Sequence, residues 1–242
     1  MAKQSGLDAR FYVAGYDLSG DTAAINTLSG GHEVQETPDL AHTAMSRLAL
    51  TRDGEMEVSS YFDTASDAEH AALKSVPTTN CLATVTFGTA QGNPAANVWG
   101  KRVTYDLDRG DDGSLGVSAS VVADGYGLDW GVLLTAGKAT VTPGNGAGLD
   151  MTTVSTAYGA AAYLQVFSVT AGTVTIHVED SANGVDFVDV TGLSFTAASA
   201  QTAGERVATA TDATIRQHAR YVVAGGTAVV AVSLCRYLAP QA

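Results

Sequence analysis

The sequence predicts a mainly β protein: an antiparallel β-sandwich or barrel with one flanking helix, followed by a small second β-sandwich. Polar and apolar residues alternate with period two in many short stretches, as in residues 173–179, which is typical of half-buried strands. Turn dipeptides such as Asn183-Gly184 separate these stretches. Hydrophobic residues make up 45% of the 242 residues, so the chain can form one large core or two modest ones.

The same alternation occurs in both halves of the chain. Alternating stretches occupy residues 55–62, 82–87, 103–107, 115–121, 185–190, 193–196 and 230–234. Residues 108–113, Asp-Arg-Gly-Asp-Asp-Gly, separate two of them, so 103–107 and 115–121 are expected to form a hairpin. A helix is expected from about Ser66 to Val76. Ser66 and Glu69 have capping-box spacing, Asp67 would lie in the first turn, and Pro77 would end the helix.

Composition divides the chain into two domains. Residues 1–138 are expected to form the first domain and residues 157–242 the second. Residues 139–156 contain Pro143-Gly144-Asn145-Gly146-Ala147-Gly148 and are interpreted as a flexible linker. Residues 1–150 carry 9 basic and 19 acidic residues, whereas residues 151–242 carry 4 and 6. The negative charge therefore belongs to the first domain.

Charge and cysteine usage exclude several classes of protein. The net charge is -12, which argues against a groove that grips phosphates with clustered Lys and Arg. Charged residues make up only 16% of the chain, and neutral surface suits large protein interfaces. Residues 151–178 lack charge but contain many Thr, Ser and Gly residues, so a soluble protein without membrane insertion is expected. Cys81 and Cys235 are either free packed thiols or one long-range disulfide.

The sequence contains no recognisable catalytic constellation. The histidines lack metal-ligand spacing, and no nucleophile elbow, phosphate loop or dinucleotide fingerprint occurs. We therefore expect no catalytic, metal or cofactor-binding residues, no cofactor and no enzyme activity. A carboxylate pair of a glycan-acting enzyme stays conceivable, but nothing singles out two carboxylates. Trp99 and Trp130 lie in apolar phases and are interpreted as core or interface residues rather than ligand platforms.

Several motifs resemble the major tail proteins of long-tailed phages that infect actinobacteria. The similarity runs nearly from end to end, and residues 125–138 are its most specific part. It is carried by residues 2–7 and 11–21, Arg52-Asp53-Gly54-Glu55-Met56-Glu57-Val58 before Tyr61-Phe62, Leu73-x-x-Val76-Pro77-Thr78-Thr79, residues 101–106 with 109–115, Gly125-Tyr126-Gly127-Leu128-Asp129-Trp130-Gly131-x-x-Leu134-Thr135-Ala136-Gly137-Lys138, residues 162–167 and residues 180–183.

The resemblance implies a tail-tube fold in residues 1–138 and an appended, decorating β-sandwich in residues 157–242. It implies a structural virion protein, assembled in the host cytoplasm, that polymerises as stacked hexameric rings. The tube would conduct double-stranded DNA without binding it specifically. Partners would be other copies of the chain, the tape measure protein and the tail terminator, with a weak contact between the second domain and host glycans. The alternative is a capsid or baseplate decoration protein that binds a preformed lattice or host glycans.

Overall fold

The computed structural model describes residues 6–37 and 43–241. It is mainly β, as predicted, and its strands join in one antiparallel sheet. The first five residues, which carry part of the tail-protein resemblance, lie outside the described residues. The strands are β1 (Ala9–Val13), β2 (Tyr16–Asp17), β3 (Thr22–Glu36), β4 (Arg47–Tyr61), β5 (Cys81–Phe87), β6 (Pro94–Arg109), β7 (Leu115–Ala123), β8 (Asp129–Leu133), β9 (Ala139–Val141), β10 (Gly144–Asn145), β11 (Leu149–Asp150), β12 (Ala160–Ser181), β13 (Val188–Ser194), β14 (Glu205–Ala208) and β15 (His218–Arg236).

The first half of the chain packs two parts of the sheet against each other. One part has the order β2-β1-β5-β6, and the other has the order β3-β4-β7-β6. β6 belongs to both parts because its first half pairs with β5 and its second half with β7. The two pairings meet at Gly100, where a Cβ would lie 1.9 Å from the carbonyl oxygen of Val122. Between the two parts lies a core that includes Phe11, Val58 and Val85.

The second half is built on two long strands, β12 and β15. They pair along nearly their whole length, with register shifts between Val166 and Val174. Residues on both sides of these shifts, such as Leu164 and Ile176, belong to one buried cluster. The paired strands therefore fold over a common core, as a small sandwich requires.

A buried junction joins the two halves. Gln165 on β12 accepts a hydrogen bond from the backbone N–H of Gly15 (2.9 Å) and donates one to the carbonyl of Leu82 (2.9 Å). β8 pairs with β6 on one side and with β15 on the other. The halves are thus connected by the hydrogen bonds of β8 and by the hydrogen-bonded side-chain amide of Gln165. These contacts fix their relative position.

The structure differs from two expectations. The helix α1 spans only Glu69–Leu73, and its N-cap residue is Ala68 rather than Ser66, so the N-cap side chain makes no capping hydrogen bond. The capping-box prediction is wrong because the Glu69 side chain is buried, and the Glu69 backbone N–H instead binds the carboxylate of Asp21 at 3.1 Å. Residues 139–156 are not a flexible linker, because β9, β10 and β11 pair with β15 and the Val141 side chain is buried in the second core.

Among the described residues, no helix has the length and apolarity needed to cross a membrane. Cys81 and Cys235 are both buried free thiols.

Candidate assembly surface

The four-stranded part β3-β4-β7-β6 has two open edges. Within the described residues β3 pairs with β4 alone, and the segment of β6 from residue 101 to 109 pairs with β7 alone. The backbone N–H of Gly110 points toward β7, because it donates a hydrogen bond to the carbonyl oxygen of Ser114 (2.9 Å). In an antiparallel pair, the backbone groups of successive residues point alternately toward and away from the partner strand. The backbone groups of Leu107 and Arg109 therefore point away from β7 into the open edge. Open edges can pair with another chain.

One face of this four-stranded part is polar and acidic. The strand registers align Thr27, Glu57, Ser120 and Thr104 in one row across the four strands. Glu57 accepts hydrogen bonds from Thr27 (3.2 Å) and Ser118 (3.4 Å). The carboxylates on this face are Glu55, Glu57, Asp106 and Asp108. The basic residue on the same face, Lys101, forms an ion pair with Asp124. The face therefore presents excess negative charge to solvent.

Beyond this sheet, β3 and β4 continue as a hairpin arm. We define the arm as residues 29–36 and 47–54. Most of its side chains are exposed, and it carries the apolar side chains of Val34, Leu48 and Leu50, which are exposed by 55%, 54% and 39%. Exposed apolar groups on a projecting hairpin are typical of protein interfaces.

A glycine pair fixes the base of the arm. Gly30 and Gly54 are register partners, and Leu128 packs against both. A Cβ at Gly54 would lie 2.4 Å from the Leu128 nitrogen, and one at Gly30 would lie 2.7 Å from the Leu128 Cβ. Only glycine leaves room for this approach. No atom of the described residues lies within 4 Å of a Cβ added at Gly31, so the requirement for glycine is confined to the positions that Leu128 contacts.

Asp129 connects the arm with the second half of the chain. Its carboxylate is buried and accepts hydrogen bonds from Arg52 Nη2 (2.9 Å), the Tyr237 hydroxyl (2.9 Å) and the Tyr163 hydroxyl. The Nη2 atom of Arg206 lies 3.9 Å from Oδ2 of Asp129. Burial and the negative charge of Asp129 raise the pKa of Tyr163 well above its usual range, so this phenol stays a hydrogen-bond donor. The network is well satisfied, as a buried charge requires.

A cleft of about 1190 Å³ opens over this network. The arm supplies Arg52, the loop before β8 supplies Tyr126, and the second half supplies Arg206 and Thr211. The Arg206 guanidinium stacks on the Tyr126 ring at 3.6 Å. Two arginines face one aspartate here, so the cleft carries local positive charge in an otherwise acidic protein.

The structure brings together one group of possible metal ligands that sequence spacing does not indicate. Among the described residues, His177, Glu179 and Asp189 have ligand atoms within 4.8 Å of one another. His177 and Glu179 lie two residues apart on β12, and β13 supplies Asp189. Glu179 is already held by Arg220 at 2.6 Å, and Asp189 contacts His177 at 3.2 Å. Both carboxylates therefore already have a partner among the described residues.

The two tryptophans have different positions. Trp99 packs against the cluster between the halves, whereas Trp130 is 53% exposed and stacks on Phe87 with ring centres 5.8 Å apart. The most specific part of the resemblance, residues 125–138, supplies Leu128 at the arm, Asp129 in the buried network and Trp130 on the surface. Gly30, Gly31 and the Arg52-Asp53-Gly54 sequence are the features of the sequence that could have indicated this site. Their spacing alone does not show that Gly30 lies opposite Gly54 in the sheet.

No protein-family model and no curated protein sequence matches the chain. Two similar solved structures are tail components. One is the tail of an empty GTA particle with C6 symmetry, at 15% identity and a TM-score of 0.39, covering 53% of this chain and 98% of that chain. The other is the phage SPP1 Dit protein, described as a paradigm of the hub adsorption apparatus in phages infecting Gram-positive bacteria. It has 10% identity and a TM-score of 0.34, covering 94% of this chain and 99% of that chain. At these values neither likeness assigns a function.

Proposed function

We propose that this protein is a structural virion protein whose copies join into stacked rings and so form a phage tail tube. The observation that carries the proposal is the four-stranded sheet with two open edges, β3 and the 101–109 segment of β6. An edge that meets a different edge on the next copy makes a heterologous contact, and such contacts close into rings when the rotation per copy allows it. Six copies per ring is the number that the tail-protein resemblance implies.

The acidic face supports a bore that conducts DNA. In a ring closed through β3 and β6, this sheet would be continuous and one of its faces would line the channel. Glu55, Glu57, Asp106 and Asp108 would then repel phosphates. Double-stranded DNA could pass without sticking, which a conduit requires.

We also propose that the chain divides by role at residue 138. Residues 1–138 would form the ring, and residues 157–242 would lie outside it as a decoration. The uneven charge supports this division, since the first half carries most of the acidic excess. The tape measure protein, the tail terminator and host glycans are proposed partners on the strength of the resemblance alone.

A proline at the open edge tests the proposal. Leu107→Pro removes a backbone N–H that points away from β7, so the monomer should keep its sheet whereas edge pairing is lost. Leu107→Ala is the matched control, because it removes the exposed side chain and keeps the N–H. Circular dichroism and thermal melting check the fold, and electron microscopy with sedimentation velocity measures assembly. We expect rings or tubes from the wild type and from Leu107→Ala. A folded Leu107→Pro protein that assembles like the wild type would overturn the edge-pairing proposal.

A further inference from the structure

We propose that the acidic tip of the β6–β7 hairpin in one copy docks in the Arg206 cleft of a second copy. The tip is residues 108–113, and the Arg206 cleft is the one lined by Arg52, Tyr126, Arg206 and Thr211. This inference rests on the proposed function and deepens it, because it assigns a contact between successive copies along the strand direction.

The cleft contains a cation with spare hydrogen-bonding capacity. The Arg206 side chain is only 9% exposed. Its Nε donates to Tyr163 (3.2 Å) and its Nη2 to Tyr237 (3.3 Å). Within the described part of the chain Nη1 makes no hydrogen bond, and it is not among the buried atoms that lack a partner. It therefore reaches the solvent of the cleft, where an added carboxylate would pair with it.

The hairpin tip has the complementary chemistry and a narrow shape. Asp111 and Asp112 are exposed and lie between Gly110 and Gly113. The hydroxyl and backbone N–H of Ser114 hydrogen-bond to the Asp112 carboxylate and lower its pKa, so the tip is anionic at neutral pH. One oxygen of Asp112 receives both of these bonds, which leaves the other oxygen and the Asp111 carboxylate for an outside partner.

The position of the two features favours a second copy as the occupant. The tip follows the end of the sheet at which Tyr61 pairs with Gly116, whereas the cleft lies at the opposite end beside Arg52. Along β4 these ends are separated by about 30 Å, given the rise per residue of a strand. The tip of a chain therefore does not fill its own cleft. Copies related along the strand direction would bring a tip to each cleft and form a heterologous contact that repeats.

Site-directed cross-linking tests this contact. Asp111→Cys and Thr211→Cys are prepared as separate proteins, mixed, assembled and oxidised. Val185→Cys replaces Thr211→Cys as the control, because Val185 is 76% exposed and outside the cleft. Burial raises the pKa of Cys81 and Cys235, so the native thiols should not compete. We expect a cross-linked dimer from Asp111→Cys with Thr211→Cys and none with the control partner.

A second variant measures the contribution of charge. Asp111→Asn with Asp112→Asn should raise the concentration required for assembly about tenfold, as expected when a charged contact is lost. Asp8→Asn with Asp67→Asn is the matched control for net charge. Normal tubes without the specific cross-link and without a raised threshold would overturn this inference alone. Absence of any polymer from the wild type would instead overturn the proposed function.

Discussion

Arg52 at the base of the hairpin arm donates a 2.9 Å hydrogen bond to the carboxylate of Asp129, which is buried at the junction of the two halves. Arg52 also donates to Gln241 near the end of the chain (2.7 Å). A single ion pair thus ties the arm to the first residue of β8, and β8 pairs with strands of both halves. The arm is therefore oriented by the body of the protein rather than by its own hairpin alone.

Removing the shared carboxylate should be more damaging than removing Arg52. Asp129→Ala leaves Arg206 buried without its counter-charge and should lower the free energy of unfolding by about 3–5 kcal/mol. Arg52 is more accessible, with 25% of its side chain exposed, so Arg52→Ala should cost about 1–2 kcal/mol. Urea denaturation of both variants measures the difference. Equal losses would mean that Asp129 does not hold the network together.

The glycine pair gives a prediction with a neighbouring control. Gly54→Ala would place a Cβ 2.4 Å from the Leu128 nitrogen and should destabilise the protein by about 1–3 kcal/mol through overpacking. Gly31→Ala has open space and should change stability by less than about 0.5 kcal/mol. Thermal unfolding of the two variants compares them directly. A neutral Gly54→Ala would show that the loop at Leu128 is not packed tightly on the arm.

Glu69 should make stability depend on pH. Burial, together with the charge of Asp21, raises the pKa of Glu69 to about 7 from 4.5, and its carboxylate oxygens have no hydrogen-bond partner in residues 6–37 and 43–241. The folded state therefore holds the proton more tightly than the unfolded state. The resulting stabilisation is fully present below about pH 4.5 and is lost as pH rises through about 7.

Glu69→Gln removes this titration. The variant should be more stable than the wild type at pH 8, and its free energy of unfolding should fall less between pH 5 and pH 8. Urea denaturation at the two pH values provides the measurement. Parallel pH dependence in both proteins would show that Glu69 is ionised in the folded state throughout this range.

The acidic face should determine how the protein responds to DNA. Glu55→Lys with Asp106→Lys places two cations on the proposed bore surface, and salt-sensitive DNA binding should appear because phosphate contacts release counterions. Asp189→Lys with Asp212→Lys makes the same change in net charge but places it on the second half of the chain. This control should bind DNA more weakly than Glu55→Lys with Asp106→Lys. Fluorescence anisotropy at several salt concentrations compares the two variants with the wild type, for which we expect negligible binding. Tight binding of DNA by the wild type would contradict a non-adhesive bore.

Local patterns predicted the strands well, and long-range contacts explain where they failed. Alternation predicted the hairpin of residues 103–107 and 115–121, which is the β6–β7 pair. The glycine-rich residues 144–148 suggested a linker, but the backbone of Gly144 and Asn145 pairs with β15, which lies far away in sequence. Ser66 and Glu69 matched a local helix signal, yet the helix N-terminus is bound by Asp21 from a distant turn.

The candidate assembly surface was harder to predict than the fold. The Asp129 network joins Arg52, Tyr163, Arg206 and Tyr237, which come from four separated parts of the chain. The spacing of these residues in the sequence does not indicate that they meet. The open edges of β3 and β6 likewise become visible only when the register of every strand pair is known.

A cryo-electron microscopy reconstruction of the polymer formed by the 242-residue chain would show directly how neighbouring copies meet. We expect rings in which β3 of one copy pairs with the 101–109 segment of β6 of the next, with Glu57 and Asp106 facing the channel. A protein that stays monomeric at high concentration would contradict it. So would a polymer whose copies meet through residues 157–242 while the acidic face lies on the outside.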